Sequence, residues 1–184
     1  MHGSTRPLYL LAAGLTGLMG LMGLSAPSQA GPAHLHGQAT LDIAVEARGL
    51  TLRLEIPQDS LLGHERTPRT AAEQQAAAAA IQRLRDGARL FMLPAERGCT
   101  LAGVEIEAPR LQPGAAAAGA SGHADVDATY RFDCVRTEGL RNVDVGGLFD
   151  AFARLHQIQA QVASADGQHQ ARVKRPARAL AWGR

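Results

Sequence analysis

Apolar and polar side chains alternate along four short segments of the chain, which limits the fold to architectures built on a sheet with one buried face. Residues 39–45 alternate, and after Arg48-Gly49 the alternation resumes over residues 50–56 and ends at Pro57. Successive side chains of a strand point to opposite faces, so each segment is a strand candidate. The first two segments, separated by a turn, predict a β-hairpin.

Residues 100–106 and 126–132 alternate in the same way, and residues 158–162 and 170–173 flank the turn Asp166-Gly167. They add four predicted strands. Thr70 and Glu73 have capping-box spacing ahead of an Ala-rich run, which predicts a helix over residues 70–85 after a loop at residues 58–69. A second, short helix is predicted over residues 147–155.

The resulting order, β-β-α-β-β-α-β-β, predicts an α+β fold. It is a single domain whose mostly antiparallel sheet of hairpins has two helices packed on one face. Two βαβ-like halves are the alternative, and the pattern leaves the strand order open.

The first thirty residues have the composition of a secretory signal. Arg6 is their only charge, residues 8–24 are apolar, and Ser28-Gln29-Ala30 places small residues where a signal peptidase cleaves. An uncleaved anchor is the alternative, but the run contains four glycines and is shorter than the roughly 20 residues of a membrane span. We expect a signal peptide at residues 1–30, a single domain at residues 31–184 and a periplasmic location.

The charge of the chain indicates no electrostatic partner. The formal net charge is +2, and removal of the signal, which carries Arg6, brings the remainder close to neutrality. Nucleic-acid binding requires a clustered basic face, and the basic residues near the C-terminus are typical of a solvated tail. We therefore expect no nucleic-acid partner, and no membrane association after signal cleavage.

Cys99 and Cys134 are the two cysteines of the chain. An exported protein with two thiols is expected to form one disulfide. By the chain-entropy model, a bridge that closes a loop of this length stabilises the folded protein by about 4 kcal/mol. Two thiolate metal ligands are the alternative, but the short C-x-x-C spacing is absent and the compartment is oxidising.

Six of the seven histidines follow the predicted signal, and four of them lie within two residues of another potential metal ligand. His34 and His36 are two residues apart and can approach one ion from an extended segment. His123 and Asp125 have the same spacing, and His64 precedes Glu65. Neutral imidazoles suit Zn²⁺. We predict one four-coordinate zinc site with His34, His36 and His123, completed by Asp125 or His64; solvated histidines are the alternative.

Several blocks in one order resemble the ZrgA-like periplasmic proteins, a domain-of-unknown-function family associated with zinc uptake. The matching blocks are Ala33-His34-Leu35-His36-Gly37, residues 41–46, Pro68-Arg69-Thr70, His123-Ala124-Asp125, residues 130–134 and Leu148-Phe149-Asp150-Ala151-Phe152. The resemblance implies periplasmic zinc binding and delivery of zinc to the binding protein of an importer.

The chain departs from the family pattern at two places. Where the family usually has Gly-Phe-Glu-His, this chain has Gly63-His64-Glu65-Arg66, so the histidine has moved. Where family members often carry a long His/Asp-rich tract, residues 113–122 are rich in Ala and Gly and predict a mobile loop. We therefore expect few bound ions.

Three classes of function remain open. The first is a zinc-binding protein without catalysis, and the second is a structural or interaction protein that binds no metal. The third is a metallohydrolase, which requires an open metal position and a general base. The sequence contains no H-E-x-x-H and no G-x-S-x-G motif, which favours a protein that is not an enzyme.

Overall fold

The computed structural model describes residues 35–111 and 124–183. The strands within these ranges are β1 Gln38–Glu46, β2 Gly49–Pro57, β3 Thr100–Glu107, β4 Asp125–Asp133, β5 Asn142–Asp144, β6 Gln157–Ser164, β7 Gly167–Lys174 and β8 Ala179–Ala181. The helices there are α1 Gln58–Leu62, α2 Ala71–Arg85, α3 Gly87–Leu90 and α4 Gly146–Ala151, and short 3-10 turns occur at Ala95–Arg97 and Pro109–Leu111.

Six strands form one sheet in the order β3-β4-β2-β1-β6-β7, and β5 pairs with β8 in a separate two-stranded sheet. The predicted hairpins β1-β2 and β6-β7 are present, and β3 pairs antiparallel with β4. One face of the large sheet carries the apolar residues of every alternating segment. Leu41, Leu52, Tyr130 and Ile158 are fully buried on it.

The sheet is mixed, and the prediction of a mostly antiparallel sheet of hairpins missed its parallel pair, β1 with β6. The cause lies in the connection between β4 and β6. Strand β4 ends beside Gly49, and the chain then runs through β5 and α4 to start β6 beside Gln38, at the other end of the sheet. Strand β6 therefore enters the sheet from the same end as β1.

Four helices occur in the described residues, so the prediction of two helices was wrong. The extra helices α1 and α3 have five and four residues, too few to produce a helical period in the sequence. Helix α1 occupies the start of the predicted loop 58–69 and ends at Gly63, which adopts a left-handed φ of 79°. Helix α3 begins at Gly87, where a side chain would collide with the ring of Tyr130.

The predicted helix 147–155 is shorter in the structure. Helix α4 ends at Ala151, and Phe152 is extended. The guanidinium of Arg175, the residue after β7, donates hydrogen bonds to the carbonyl of Phe149 in α4 and to those of Phe152 and Leu155 in the segment that follows it. This side chain therefore holds the last turn of α4 and the chain after it.

Helix α2 begins as predicted. The Thr70 hydroxyl accepts a hydrogen bond from the Glu73 amide, and the Glu73 carboxylate accepts one from the Thr70 amide. Tyr130 of β4 donates to the carbonyl of Leu84 at 2.9 Å, which fixes the last turn of α2 on the buried face of the sheet.

Cys99 and Cys134 form a disulfide, as predicted. The bridge joins the residue before β3 to the residue after β4, at the end of the sheet where Glu46 lies. The predicted loop 113–122 and the predicted signal peptide 1–30 lie outside the described residues. No helix between residues 35 and 183, outside the gap at 112–123, is long and apolar enough to cross a membrane.

Candidate metal centre

The start of β1, the end of β2 and the starts of β4 and β6 lie at one end of the large sheet, which we call the α1 end. Gln38 pairs with Gln157, and Pro57 pairs with Asp125. Helix α1 follows β2 directly, so its residues lie beside the chain segments that enter β1 and β4. The sequence-predicted ligands that the structure describes, His36, His64 and Asp125, are all at this end.

His36 precedes β1 in a tight turn. Gly37 has a left-handed φ of 78°, and a Cβ there would lie 2.8 Å from Cδ2 of His156. The Gly37 amide donates to the buried Ser60 hydroxyl at 3.1 Å, and its carbonyl accepts from the His156 amide at 2.7 Å. Only glycine fits this turn without displacing a neighbour. The turn therefore fixes the backbone of His36 against both α1 and β6.

The imidazole of His36 lies between two carboxylates. Its Nε2 is 3.1 Å from Oε1 of Glu65, and its Nδ1 is 3.6 Å from Oδ2 of Asp59. The His36 and Glu65 side chains are 65% and 50% exposed, whereas Asp59 is 20% exposed. The more buried carboxylate thus faces Nδ1, and the more exposed one faces Nε2.

The two carboxylates contact opposite nitrogens of one ring, and these nitrogens point in different directions. One metal ion cannot bind both nitrogens at once. A metal-bound imidazole commonly uses one nitrogen as the ligand and donates its other N–H to a carboxylate, which fixes the ring orientation. Asp59 lies on the Nδ1 side of the ring, at 3.6 Å and so beyond hydrogen-bond distance, whereas Glu65 lies at hydrogen-bond distance from Nε2.

His64 is oriented by its own loop. Its Nδ1 lies 3.1 Å from the carbonyl oxygen of Arg66. A carbonyl only accepts, so Nδ1 carries the proton and Nε2 is the nitrogen available to an ion. The backbone carbonyl here has the same orienting role as a carboxylate beside a zinc-bound histidine.

The loop that carries His64 and Glu65 is held by charged groups on both sides. Arg66 forms an ion pair with Glu73 at the start of α2, and Arg110 donates to the Glu65 carbonyl at 3.3 Å. The hydrogen bond from Arg66, with those from the amides of Arg69 and Thr70, holds the pKa of the Glu73 carboxyl far below its ordinary value. Glu73 therefore stays ionised to lower pH than an ordinary glutamate, which favours its ion pair with Arg66.

Asp125 is the first residue of β4. It is half-buried, and Ala124 before it accepts a hydrogen bond from the Gln58 amide at 2.7 Å. His34 and His123 lie outside the described residues, two positions ahead of His36 and of Asp125 respectively. Within residues 35–111 and 124–183, no group of three or more His, Cys, Asp or Glu side chains is arranged to hold a metal ion.

Sequence reasoning named His64-Glu65 as a donor pair but missed Asp59, because residues 58–69 have no periodicity and were interpreted as a loop. His156 has ordinary polar sequence neighbours, which give no signal of a site. Its contact with Gly37 depends on the parallel pairing of β1 with β6, which no local pattern reveals.

Comparison with known families identifies a relationship that covers most of the chain. The model of the ZrgA family, described as a zinc uptake protein family, matches residues 33–182. The match therefore includes all the strands and helices described above. No curated protein matches the chain.

Proposed function

Because the chain belongs to the ZrgA family of zinc uptake proteins, we propose that it is a periplasmic zinc-binding protein. In this proposal zinc is a cargo that the protein binds at the α1 end and passes to the binding protein of a zinc importer. The protein performs no catalysis.

The arrangement of His36 supports the proposal most directly. The imidazole and the Glu65 carboxylate at its Nε2 supply two of the donor types that zinc prefers, and the Asp59 carboxylate lies 3.6 Å from Nδ1. When zinc binds Nε2 of His36, the Glu65 carboxylate can rotate from that nitrogen to the ion. His36 and Glu65 are then ligands of the same metal. In this proposal Asp59 moves to within hydrogen-bond distance of Nδ1 when the ion binds, and it then orients the ring.

The exposure of these side chains supports a cargo role over a structural one. Structural zinc ions are enclosed by four protein ligands and contribute directly to folding. The side chain of His36 is 65% exposed and that of Glu65 is 50% exposed. An acceptor protein can therefore reach the ion and exchange ligands. The buried face of the large sheet forms the hydrophobic core, so in this proposal the fold does not depend on zinc.

The complete ligand shell remains a prediction. His34 and His123 join His36 in it, with Asp125 or His64 as the fourth ligand, and the position of Glu65 makes it a further candidate. Two observations support convergence. Gly37 is tied to Ser60 and Ala124 is tied to Gln58, so both segments that lead to the unobserved histidines adjoin α1.

The periplasmic location rests on two observations. The disulfide Cys99–Cys134 is of a kind that persists in oxidising compartments. Residues 1–30 have the composition of a cleaved secretory signal.

The zinc stoichiometry and affinity of the protein lacking residues 1–30 test the proposal, measured by calorimetry after removal of bound metal. We expect one ion per chain. The His34→Ala/His36→Ala double variant should lose saturable binding or weaken it by more than about 100-fold, because it removes two proposed ligands. His169→Gln, on β7 and away from the α1 end, is the matched control and should bind zinc normally.

Two results would contradict the proposal. Unchanged affinity and stoichiometry in the double variant would place the zinc site elsewhere. A parent protein that binds no zinc at equilibrium dialysis would instead identify a structural or interaction protein.

A further inference from the structure

Gln58, the first residue of α1, is a buried polar side chain that contacts the loop of the candidate metal centre. It is 1% exposed. Its Nε2 donates to the carbonyl of His64 at 3.1 Å and to the carbonyl of Arg66 at 2.7 Å. A side-chain amide nitrogen has two protons, so both are used. A buried amide without such partners would be strongly unfavourable.

The two carbonyls that Gln58 binds belong to the residues on either side of Glu65. The carbonyl of Glu65 itself accepts from Arg110. Three consecutive carbonyls of the loop are therefore held by side chains from two other elements. This leaves the backbone of Glu65 little freedom, and its carboxylate is directed to His36.

The backbone of Gln58 extends the same connection to β4. Its amide donates to the carbonyl of Ala124, next to Asp125. Two residues further along α1, the Ser60 hydroxyl accepts from the amide of Gly37, next to His36. One short helix thus sets the positions of His36, Glu65 and Asp125 relative to one another.

We infer that Gln58 is a positioning residue of the zinc site, acting through the His64–Arg66 segment on Glu65. This inference rests on the proposed function and assigns Gln58 no contact with the ion. Loss of the amide nitrogen leaves two carbonyls without their donor, so the loop relaxes and Glu65 leaves the Nε2 side of His36. Removing such an outer partner typically weakens metal affinity about 10- to 100-fold.

Gln58→Met tests the inference, because methionine keeps the length and burial of the side chain and removes both donated protons. Zinc affinity is measured by competition with a chromogenic chelator, and folding by circular dichroism and urea unfolding. Thr137→Val is the matched control. Thr137 is also a buried polar residue, and its hydroxyl donates to the carbonyl of Glu46, at the opposite end of β1.

We expect Gln58→Met to weaken zinc binding by about 10- to 100-fold and Thr137→Val to leave it unchanged, although both lower stability. The loss of zinc affinity caused by Gln58→Met should also disappear when Glu65 has already been replaced by glutamine. A residue that acts through Glu65 then has no ligand left to position. If Gln58→Met fails to fold, Gln58→Asn replaces it. Its amide is one methylene shorter, cannot reach both carbonyls, and should weaken binding similarly.

The inference is overturned if Gln58→Met or Gln58→Asn binds zinc within twofold of the parent protein. It is also overturned if the losses from Gln58→Met and Glu65→Gln add, or if affinity falls in both Gln58→Met and Thr137→Val in proportion to lost stability. Failure of the proposed function is distinct, because it appears as absent zinc binding in the unsubstituted protein. That outcome removes the positioning role as well.

Discussion

Nε2 of His36 lies 3.1 Å from Oε1 of Glu65, although 29 residues separate the two in the chain. The contact joins the turn ahead of β1 to the loop that follows α1. It depends on β2 returning antiparallel to β1, which places the end of β2 and the helix after it beside the start of β1. A hairpin near the N-terminus therefore creates the candidate metal centre.

Replacing Glu65 by glutamine should weaken zinc binding at least about 10-fold, because a neutral amide is a poorer zinc ligand than a carboxylate. The fold should be unaffected, since the side chain is half exposed. Affinity is measured by chelator competition. Glu138→Gln, an exposed substitution in the turn before β5, is the control and should not change the affinity. Equal affinities in the two variants would exclude Glu65 from the site.

Local patterns in the sequence predicted the elements whose signals are themselves local. The alternation in β1 and β2 fixes which residues are buried, and the capping box fixes the start of α2 at Thr70. Strand order follows instead from the long connection between β4 and β6, which crosses the molecule from one end of the sheet to the other. No periodicity encodes the destination of such a connection.

The candidate site was predictable only in part, for a similar reason. H-x-H spacing indicates His36 because the histidines are neighbours in sequence. Asp59 and Gln58 lie in a helix of five residues that has no periodic signal. Their roles depend on the distance to His36 and to the His64 loop, which only the folded chain sets.

The disulfide should stabilise the protein without contributing to zinc binding. The bridge closes a loop of 35 residues, and its removal in Cys99→Ala/Cys134→Ala should lower the free energy of unfolding by about 4 kcal/mol by the chain-entropy model. Zinc affinity should be unchanged, because the bridge lies about 26 Å from the α1 end, the length of β1.

Two measurements check this prediction. Urea unfolding gives the stability difference, and titration of thiols in the denatured, unreduced protein should find none. Zinc binding that disappears in the double variant while the fold persists would favour the cysteines as ligands.

Export should remove residues 1–30. Ser28 and Ala30 have the small side chains that signal peptidases accept at the third and first positions before the cleaved bond. The intact mass of the protein recovered from the periplasm should correspond to a chain that begins at Gly31. Ala30→Leu is the control and should retain the leader, since its side chain is too large for the peptidase pocket. A mature protein that begins at Met1 would contradict the prediction.

Tyr130 should make the protein sensitive to alkaline pH. Its side chain is fully buried, and burial raises the pKa of its phenol well above the ordinary value. Below pH about 10 the phenol is protonated in both the folded and the unfolded chain. Above pH about 10 the phenol of Tyr130 loses its proton in the unfolded chain but keeps it in the folded chain. The free energy of unfolding therefore falls as pH rises, by up to about 1.4 kcal/mol per pH unit.

Tyr130→Phe removes this dependence and also the hydrogen bond to the Leu84 carbonyl. At pH 8 the variant should be about 1 kcal/mol less stable than the parent protein, the usual value of such a bond. The difference should shrink above pH 10 and reverse near pH about 11, because only the parent contains the ionisable phenol. Lys174, the single lysine, is present in both proteins, so its ionisation contributes equally to both stability curves.

Urea unfolding at a series of pH values measures the two stability curves. After removal of residues 1–30 Tyr130 is the only tyrosine, so the ultraviolet absorbance of tyrosinate reports its ionisation directly. This absorbance should appear together with unfolding and not before it. Parallel stability curves for the two proteins between pH 9 and pH 12, or tyrosinate absorbance in the folded protein at pH about 10, would show that burial does not protect the phenol.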